Sequence, residues 1–517
     1  MIRRLLLLLS IALSFAAPAR AEWRRAVSRH FIVYSEASPN ELRQFAEKLE
    51  RFDALLRMMS PVQPEDNGAP LTVFMPTYRD SVTDLVGSAL AAGVYYPRIG
   101  GSMAVAPRYL SNDSLDHFGL DADTILFHEY SHHYMLENYT AAYPPWFVEG
   151  YAELLSTTRF NRDGSIQIGN PEGHRDAERT LRPLPLRSLL FNNYWSLRGE
   201  EAATYYVQAW LLTHYLTLSD ERPGQLRRYI GLLATGRPAE QAAEDAFGGV
   251  QALDRDFSRY RHSPSIPYIG ISFEHAPAVP EIRIDTLSPG EESIVWQRAI
   301  YMHGLRPEQA AGFAATMRGR AATYPTDPAV LQLLADAEFL ASNDAAVTRA
   351  IDALLAIQPN APRALLRKGL IELSALEKGG DTAAPHWAAA RAWVVRANRA
   401  DPQDPLPLFE YFRSFQRQGV QPPPDAGLAL LRAFELAPQD DDVRTTLADW
   451  LVAARRYHEA VIVLSPVAYS AHPSPQRAQA ASLIDRVRPL ADGADLPSAP
   501  PPVPVPVPVP PSPSPAH

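Results

Sequence analysis

Between residues 40 and 60, hydrophobic residues recur every three or four positions and charged residues fill most positions between them. This period predicts an amphipathic helix. Short runs rich in β-branched and aromatic residues precede and follow it, and such runs are typical of β-strands. The candidate strands are residues 31–35, 71–76, 92–98 and 101–107. From residue 123 the period is helical again, so the pattern predicts a small sheet followed by helices.

A different pattern occupies the C-terminal half, where Ala, Leu and Arg dominate. Pro-containing turns open successive predicted helices, and the prolines are spaced by 34, 43 and 36 residues. The long interval contains EKGGDTAAP at residues 377–385, which we interpret as a loop insertion. A period near 34 with paired helices resembles tetratricopeptide repeats, although most large aromatic signature positions are missing. A plain α-helical bundle is the alternative. The recurring prolines are Pro325, Pro359, Pro402 and Pro438.

Both ends of the chain depart from a globular composition. Residues 1–21 combine a basic start, a short apolar stretch and Ala19-Arg20-Ala21, which predicts a cleavable secretory signal. A membrane anchor is the alternative, but it needs about 20 apolar residues. Residues 494–517 alternate Pro with Val and small residues, which predicts an extended polyproline II tail acting as a spacer or as an extension across a cell wall.

Charge and cysteine content restrict the class of protein. Removal of the signal takes away three arginines, so the formal charge of −9 becomes −12. An acidic exported chain is a poor nucleic-acid binder. It contains no cysteine, so disulfides and lipid anchors on cysteine are excluded. No segment after the signal is apolar enough to span a membrane. The predicted location is therefore the periplasm or the exterior.

Two histidines in the helix predicted from residue 123 lie four positions apart, in the motif HEYSH at residues 128–132. On a helix that spacing places His128 and His132 on one face, where both imidazoles can bind one metal ion. Glu129, next to the first histidine, can then reach a water molecule on that ion. The motif alone is weak, because HExxH also occurs by chance.

A second predicted helix starts near Trp146, after the turn at Tyr143-Pro144-Pro145, and presents two carboxylates four residues apart. A catalytic zinc usually takes three protein ligands and keeps one position open. Glu149 can supply the third ligand. Glu153, one turn later, can accept the free N–H of a ligand histidine and fix its tautomer.

Two further polar residues of the first helix are interpreted as bystanders. His133 points about 100° round the helix from His132, so we expect it to lie in the wall of the site or on the surface rather than to bind the metal. Glu137 lies one turn beyond His133, and we expect the two to form a solvated pair. Neither is predicted to bind metal.

The motif HEYSH, sixteen intervening residues and a glutamate in WFVEGYAE resemble the gluzincin metallopeptidases, in which a glutamate on the following helix completes HExxH. The sequence EGYAE is similar to the EGxAE of bacterial peptidase-MA-like families in that clan. The resemblance implies a Zn2+ ion held by His128, His132 and Glu149, with Glu129 as the general base.

The same resemblance extends to TYYVQAWLLTHYL at residues 204–216. Aminopeptidase-type gluzincins have a tyrosine two residues before a Lys-Gly pair, and its hydroxyl hydrogen-bonds the oxyanion. Tyr206 has the similar place, with Gln208 and Ala209 instead of Lys and Gly. Tyr205 is a second candidate. The alternative is that both tyrosines are core residues of a helix.

Aminopeptidases of the clan also carry a GxMEN strand whose glutamate binds the free N-terminus of the substrate. Residues 101–105 read GSMAV here, and Ala104 stands where that glutamate would be. The resemblance implies that this strand can pair with substrate backbone as an edge strand but has no group for an α-amine. It therefore favours endopeptidase over aminopeptidase action.

The predicted fold is an α+β zincin-like metallopeptidase domain, followed by an all-α domain of tetratricopeptide-like repeats and a disordered Pro-rich tail. The predicted boundaries are a signal peptide at 1–21, the metallopeptidase domain at 22–268, a linker at 269–290, the repeats at 291–488 and the tail at 489–517.

The predicted function is exported, zinc-dependent hydrolysis of a peptide or protein substrate, with the repeats as a possible site for a protein partner. Two alternatives stay open. One is an inactive zinc-binding scaffold whose repeats assemble partners, although an inactive site has no need of Glu129. The other is a metal-free adaptor, in which HExxH, Glu149 and Glu153 would have to coincide by chance.

Overall fold

A computed structural model describes residues 22–60, 68–88, 91–110, 121–139, 143–170, 172–192, 197–235, 237–272, 279–468 and 475–492. The predicted signal peptide lies outside these residues, and so does the Pro/Val-rich tail from residue 493 onward. Within the described ranges, no helix has the length and apolar character needed to cross a bilayer.

All four predicted strands are confirmed, and further short strands accompany them. The strands of the described residues are β1 (Arg24–Val27), β2 (Phe31–Ser35), β3 (Leu71–Met75), β4 (Val94–Tyr96), β5 (Met103–Val105), β6 (Arg159–Phe160), β7 (Ile166–Ile168), β8 (Ile269–Ile271) and β9 (Arg283–Thr286). Six of them form a mixed sheet in the order β4-β5-β3-β2-β1-β9, and β6, β7 and β8 form a second, smaller sheet.

The large sheet has β4 as its outermost strand on one side. β2, β3 and β5 run parallel to one another, whereas β4 runs antiparallel to β5. Tyr95 pairs with Ala104 and Tyr96 pairs with Met103 in this short hairpin. Because side chains alternate along a strand, Tyr95 and Tyr96 point to opposite faces of the sheet.

Ten helices of the described residues accompany these strands in the N-terminal region. They are α1 (Pro39–Met59), α2 (Asp80–Val86), α3 (Ala122–Asn138), α4 (Pro145–Ser156), α5 (Glu172–Thr180), α6 (Leu186–Phe191), α7 (Glu200–Leu218), α8 (Gln225–Ala234), α9 (Ala239–Phe247) and α10 (Val250–Arg261). The amphipathic α1 begins at a capping box, in which the hydroxyl of Ser38 accepts the N–H of Glu41 and the carboxylate of Glu41 accepts the N–H of Ser38.

The core of the N-terminal region lies on one face of the large sheet. There α1 and α3 pack against the strands, α4 packs against α3, and α7 packs against α4. Their apolar side chains share one core cluster with Phe31, Val33 and Val73. The opposite face carries Tyr34 and Phe74 and is covered by helices that include α2. The sheet is therefore enclosed on both faces by helices.

The C-terminal region is entirely helical over its described residues. Its helices are α11 (Pro289–Ser293), α12 (Val295–His303), α13 (Pro307–Thr323), α14 (Pro328–Leu340), α15 (Asp344–Ile357), α16 (Pro362–Lys378), α17 (Ala384–Ala400), α18 (Pro405–Gln418), α19 (Pro424–Leu436), α20 (Asp441–Ala453), α21 (Tyr457–Ala468) and α22 (Pro475–Asp492). From α13 onward each helix packs against the next, and α14, α16 and α18 also pack in succession. The prediction of an all-α helical-repeat domain is confirmed.

The recurring prolines mark tight turns that lie just before the N-cap of a helix. Asp327, Asp404 and Asp440 are the N-caps of α14, α18 and α20, and each carboxylate accepts a backbone N–H of the first turn. The prediction that the long interval between repeats contains a loop insertion is wrong. Helices α16 and α17 have 17 residues each, compared with 13 and 14 in α14 and α15, so longer helices contain most of the additional residues.

The described residues of the segment predicted as a linker, 269–272 and 279–290, are part of the folded structure. β8 pairs with β7, and β9 pairs with β1 at the far edge of the large sheet. Helix α12 then packs on the sheet face that carries Tyr34 and Phe74. The linker prediction was wrong because strand partners distant in sequence leave no local signal. Residues 489–492, which were predicted to belong to the tail, are part of α22.

Candidate metal centre

Two consecutive helices build the candidate site. Asp121 caps α3, where its carboxylate accepts the N–H of Thr124 at 2.7 Å. The pair Pro144-Pro145 then ends the turn between the helices, and Pro145 occupies the first position of α4, where no backbone N–H is needed. These two signals set where each helix begins and so which residues face the site.

Helix α4 crosses α7 so closely that only glycine fits at residue 150. A Cβ atom there would lie 2.2 Å from the carbonyl oxygen of Ala209 and 2.2 Å from the hydroxyl of Thr213. The close approach brings the neighbouring Glu149 next to α7 and its Tyr206. The glycine of EGYAE therefore has a packing role between the two helices.

Three donor atoms converge between α3 and α4. The Nε2 atoms of His128 and His132 lie 3.0 Å apart. One carboxylate oxygen of Glu149 lies 3.5 Å from each of these nitrogens. The three residues form a group able to hold a metal ion, with all donor atoms within 4.8 Å of one another.

These distances fit zinc. Ligand bonds of about 2.0–2.1 Å in a tetrahedral arrangement place donor atoms about 3.3–3.4 Å apart. The observed separations of 3.0 and 3.5 Å bracket that value. Two imidazoles and one carboxylate, with no thiolate, also match the donor set of catalytic rather than structural zinc sites, which keep a fourth position for water.

Glu153 contacts the outward nitrogen of the first histidine. Its carboxylate lies 3.2 Å from Nδ1 of His128 and, through its other oxygen, 2.7 Å from Nε2 of His174. An N–H on Nδ1 that donates to Glu153 leaves the lone pair of Nε2 of His128 directed towards Glu149 and His132. This is the tautomer that metal binding requires.

His174 is a site residue that sequence reasoning missed. It lies on α5, is buried, and its ring packs 4.8 Å from the ring of Trp210. No spacing rule connects it to the HEYSH and EGYAE motifs, because its contact with Glu153 depends on how α5 packs against α7.

The charges of the site stabilise one another. Burial alone would lower the pKa of His128, but Glu153 and Glu149 outweigh it and raise that pKa well above the ordinary value. Burial alone would raise the pKa of Glu149, but His132 and His128 hold it well below the usual range. Glu149 therefore remains a carboxylate, the form that binds metal.

Glu129 lies beside the three candidate ligands and against the start of β4. Burial raises the pKa of its carboxyl, and the imidazoles of His128 and His132 oppose that rise. A Cβ atom on Gly93 would lie 2.8 Å from a carboxylate oxygen of Glu129. The absence of a side chain at residue 93 thus leaves room for this carboxylate between α3 and the edge strand.

Tyr206 faces the site and Tyr205 belongs to the core. The Tyr206 ring lies 6.4 Å from the His128 ring. The negative charge of Glu149, together with burial, raises the pKa of its phenol well above the ordinary value. Tyr205 is 1% exposed. Gln208, in the place of the clan's lysine, is buried and accepts the N–H of Leu184 at 2.8 Å.

His133 and Glu137 form the predicted pair, but the prediction that this pair is solvated is wrong. Nε2 of His133 lies 3.3 Å from the Glu137 carboxylate, with side-chain exposures of 6% and 18%. Nδ1 of His133 lies 3.1 Å from the hydroxyl of Tyr95 on β4. The prediction failed because α3 is buried on several sides, against the sheet as well as against α4.

The prediction that the strand of Ala104 is an edge strand is also wrong. β5 lies between β3 and β4, and Ala104 is fully buried and pairs with Val73 and Tyr95. The outermost strand is β4. Local sequence did not distinguish the two, because both strands are short, apolar and adjacent in the chain.

A second group with metal-ligand types, His30, Glu50 and Asp53, lies in the core between α1 and β2. Its carboxylates already accept hydrogen bonds. Glu50 accepts the backbone N–H of His30 at 3.0 Å. Asp53 accepts the hydroxyl of Tyr130 at 2.6 Å and Nε–H of Arg57 at 2.7 Å. This network links α1 to the helix that carries HEYSH.

Comparison with known proteins assigns no activity. No protein-family model matches the chain, and no curated protein matches it. Seven solved chains match. One is a thermophilic TPR protein of Thermus thermophilus, with 15% identity and a TM-score of 0.31, covering 38% of this chain and 98% of that one. Another is the MamA RS-1 ArsTM double mutant, with 16% identity and a TM-score of 0.25, covering 40% of this chain and 98% of that one.

Proposed function

We propose that the protein is an exported zinc-dependent metallopeptidase, acting in the periplasm or outside the cell. One observation carries the proposal: three donor atoms of His128, His132 and Glu149 converge at distances of 3.0 and 3.5 Å. Two further carboxylates accompany this donor set. Glu129 is adjacent to His128 in the chain, and Glu153 contacts Nδ1 of His128.

Zinc held by these ligands would supply Lewis acidity, which would lower the pKa of an attacking water to about 7 and polarise the scissile carbonyl. Glu129 accepts the proton of that water and later transfers it to the leaving amine. A raised pKa suits this role, because the carboxyl must both take and release the proton near neutral pH. Glu153 orients His128 throughout.

Tyr206 is the proposed donor to the developing oxyanion. A pKa well above the ordinary value keeps its hydroxyl protonated at neutral pH, so that it can donate. The ring lies 6.4 Å from the His128 ring, and the charge of Glu149 acts on its hydroxyl, which supports a role beside the proposed ligands rather than in the core.

The outer edge of β4 is the proposed site for substrate backbone. An extended peptide can add to an exposed sheet edge through main-chain hydrogen bonds. Residues 91–98, AAGVYYPR, include no acid that would bind a free α-amine. The preference for endopeptidase action therefore depends on β4 rather than on Ala104.

The test is a paired measurement on the purified mature chain. We expect one zinc per chain and cleavage within an internally quenched peptide library. Glu129→Gln should retain zinc and lose cleavage by several orders of magnitude, because the proton acceptor is gone. Glu137→Gln is the matched control, since it makes the same change on the same helix away from the ligands, and it should cleave like wild type.

A second candidate, a zinc-binding scaffold without peptidase activity, is favoured by one observation, the array of paired helices from α13 to α22. Such arrays present extended binding surfaces. Zinc binding without cleavage by wild type would favour this candidate. Absence of zinc from a folded chain would exclude both.

A further inference from the structure

The hairpin of β4 and β5 ends in a turn, residues 97–102, that reaches the helical repeats. Each strand has only three residues, and so small a hairpin is marginal without external support. On one side β5 pairs with β3, whereas β4 has only β5 as strand partner among the described residues. The position of β4 therefore depends on contacts beyond the sheet.

Four hydrogen bonds connect this turn to helices far along the chain. The backbone N–H groups and carbonyls of the turn take part in two of them, and its side chains in the other two. They join Ile99 N to Asp440 Oδ2 at 2.9 Å, Gly100 O to Arg363 Nη2 at 2.8 Å, Ser102 Oγ to Gln439 Nε2 at 3.3 Å, and Arg98 Nη2 to His303 O at 2.6 Å.

The partners come from separate parts of the helical region. His303 ends α12, Arg363 lies at the start of α16, and Gln439 and Asp440 form the turn before α20. The side chain of Ile99 also packs against the apolar cluster that includes Phe409, Phe412 and Leu447. Polar and apolar contacts thus secure the turn within the repeats.

Both tyrosines of β4 are also held, on opposite faces of the sheet. On the face of the metal centre, the Tyr95 hydroxyl lies 3.1 Å from Nδ1 of His133, next to the ligand His132. On the other face, the Tyr96 hydroxyl lies 2.8 Å from Nε2 of His303. The strand is therefore positioned between the HEYSH helix and the helical repeats.

We propose that the helical repeats position the edge strand β4 for substrate, by binding the turn of residues 97–102 of their own chain. Asp440 is the central positioning residue. Its Oδ2 accepts the N–H of Ile99 in the turn. Its Oδ1 accepts the N–H groups of Asp442 and Val443 and so caps α20. The role in substrate binding rests on the proposed peptidase function, whereas the attachment of the hairpin does not.

Asp440→Asn separates the two tasks of this carboxylate. The remaining oxygen still caps α20, because Asn is a good N-cap. The new NH2 group faces the N–H of Ile99, and two donors cannot bond. We expect amide hydrogen exchange in peptides covering residues 93–106 to accelerate about tenfold, as loss of one hydrogen bond to a charged group implies. KM for peptide should rise severalfold, with a smaller change in kcat.

Asp327→Asn is the matched control. Asp327 also caps a repeat helix with one oxygen, and its other oxygen accepts the hydroxyl of Ser288 rather than a group of the hairpin. Exchange in residues 93–106 and KM should both match wild type. A second variant, Gln439→Ala, removes the bond to Ser102 without touching a cap and should accelerate the same peptides.

The outcomes separate the two proposals. Unchanged exchange in both Asp440→Asn and Gln439→Ala would overturn the attachment of the hairpin by the repeats. Faster exchange with unchanged KM would overturn the positioning role. A wild-type chain without peptidase activity would overturn the proposed function and the positioning role together, while the exchange rates still decide the attachment.

Discussion

Nδ1 of His128 lies 3.2 Å from the carboxylate of Glu153, whose other oxygen lies 2.7 Å from Nε2 of His174. The imidazole of a predicted metal ligand is thus oriented by a buried carboxylate, which is itself held by a second imidazole. Outer partners of this type affect metal binding even though they do not touch the ion.

We therefore predict that Glu153→Gln weakens zinc binding about 10- to 100-fold, the usual effect of losing such a partner. The neutral amide no longer favours an N–H on Nδ1 of His128. Competition with a chromophoric chelator measures the affinity. Glu137→Gln should bind zinc like wild type, and equal affinities of the two variants would contradict the orienting role of Glu153.

Tyr206→Phe should lower kcat by about 100-fold, the effect expected for removal of one oxyanion donor. Zinc affinity should not change, because the phenol is not among the three converging donors. Tyr205→Phe removes a hydroxyl from the adjacent, core-facing ring and should leave kcat within severalfold of wild type. If the Tyr205 variant shows the larger loss, the assignment of the donor is reversed.

Gly150→Ala should destabilise the fold by about 3 kcal/mol or more, since a Cβ atom would lie 2.2 Å from backbone of α7 and the helices must separate. Zinc affinity should fall as well, because Glu149 moves with the helix. Gly312→Ala is the control, since it lies within α13 with no atom within 4 Å of a new Cβ. That change should be neutral or stabilise by about 0.5–1 kcal/mol. Urea denaturation gives both values, and equal stabilities would show that α4 and α7 are not tightly packed.

The sequence predicted those parts of the fold that depend on local periodicity. The apolar residues of α1 recur every three or four positions. The prolines before Asp327, Asp404 and Asp440 indicate where repeat helices begin. The convergence of three donor atoms was also predictable, because His128 and His132 share a helix face and Glu149 lies on the next helix.

Long-range packing accounts for what the sequence did not predict. β9 pairs with β1 across about half the chain, and His174 reaches Glu153 only after α5 has packed on α7. Which of β4 and β5 is the outermost strand depends on how the strands pair, and the amino-acid composition of the two strands does not reveal it. The pair of His133 and Glu137 was predicted to be solvated because their own helix gives no sign of what covers them, whereas Tyr95 comes from a separate strand.

The buried His214 predicts how stability depends on pH. Its imidazole is fully buried on α7, where Nδ1 lies 2.8 Å from the hydroxyl of Tyr260 and Nε2 lies 3.1 Å from the carbonyl oxygen of Gly169. A neutral imidazole satisfies both contacts. Burial lowers the pKa of His214 to about 4, so the folded state resists its protonation.

Because the unfolded chain binds this proton at about pH 6.5 and the folded chain only near pH 4, protonation favours unfolding between these values. The stability contribution is present above pH 6.5 and is lost as the pH falls towards 4. The free energy of unfolding should drop by about 2.5 kcal/mol from this residue between pH 7.5 and 4.5. The glutamine of His214→Gln cannot be protonated. The unfolding free energy of this variant, measured with urea at pH 7.5 and 4.5, should therefore fall by about 2.5 kcal/mol less than that of wild type. Parallel losses in wild type and variant would show that His214 is protonated in the folded chain.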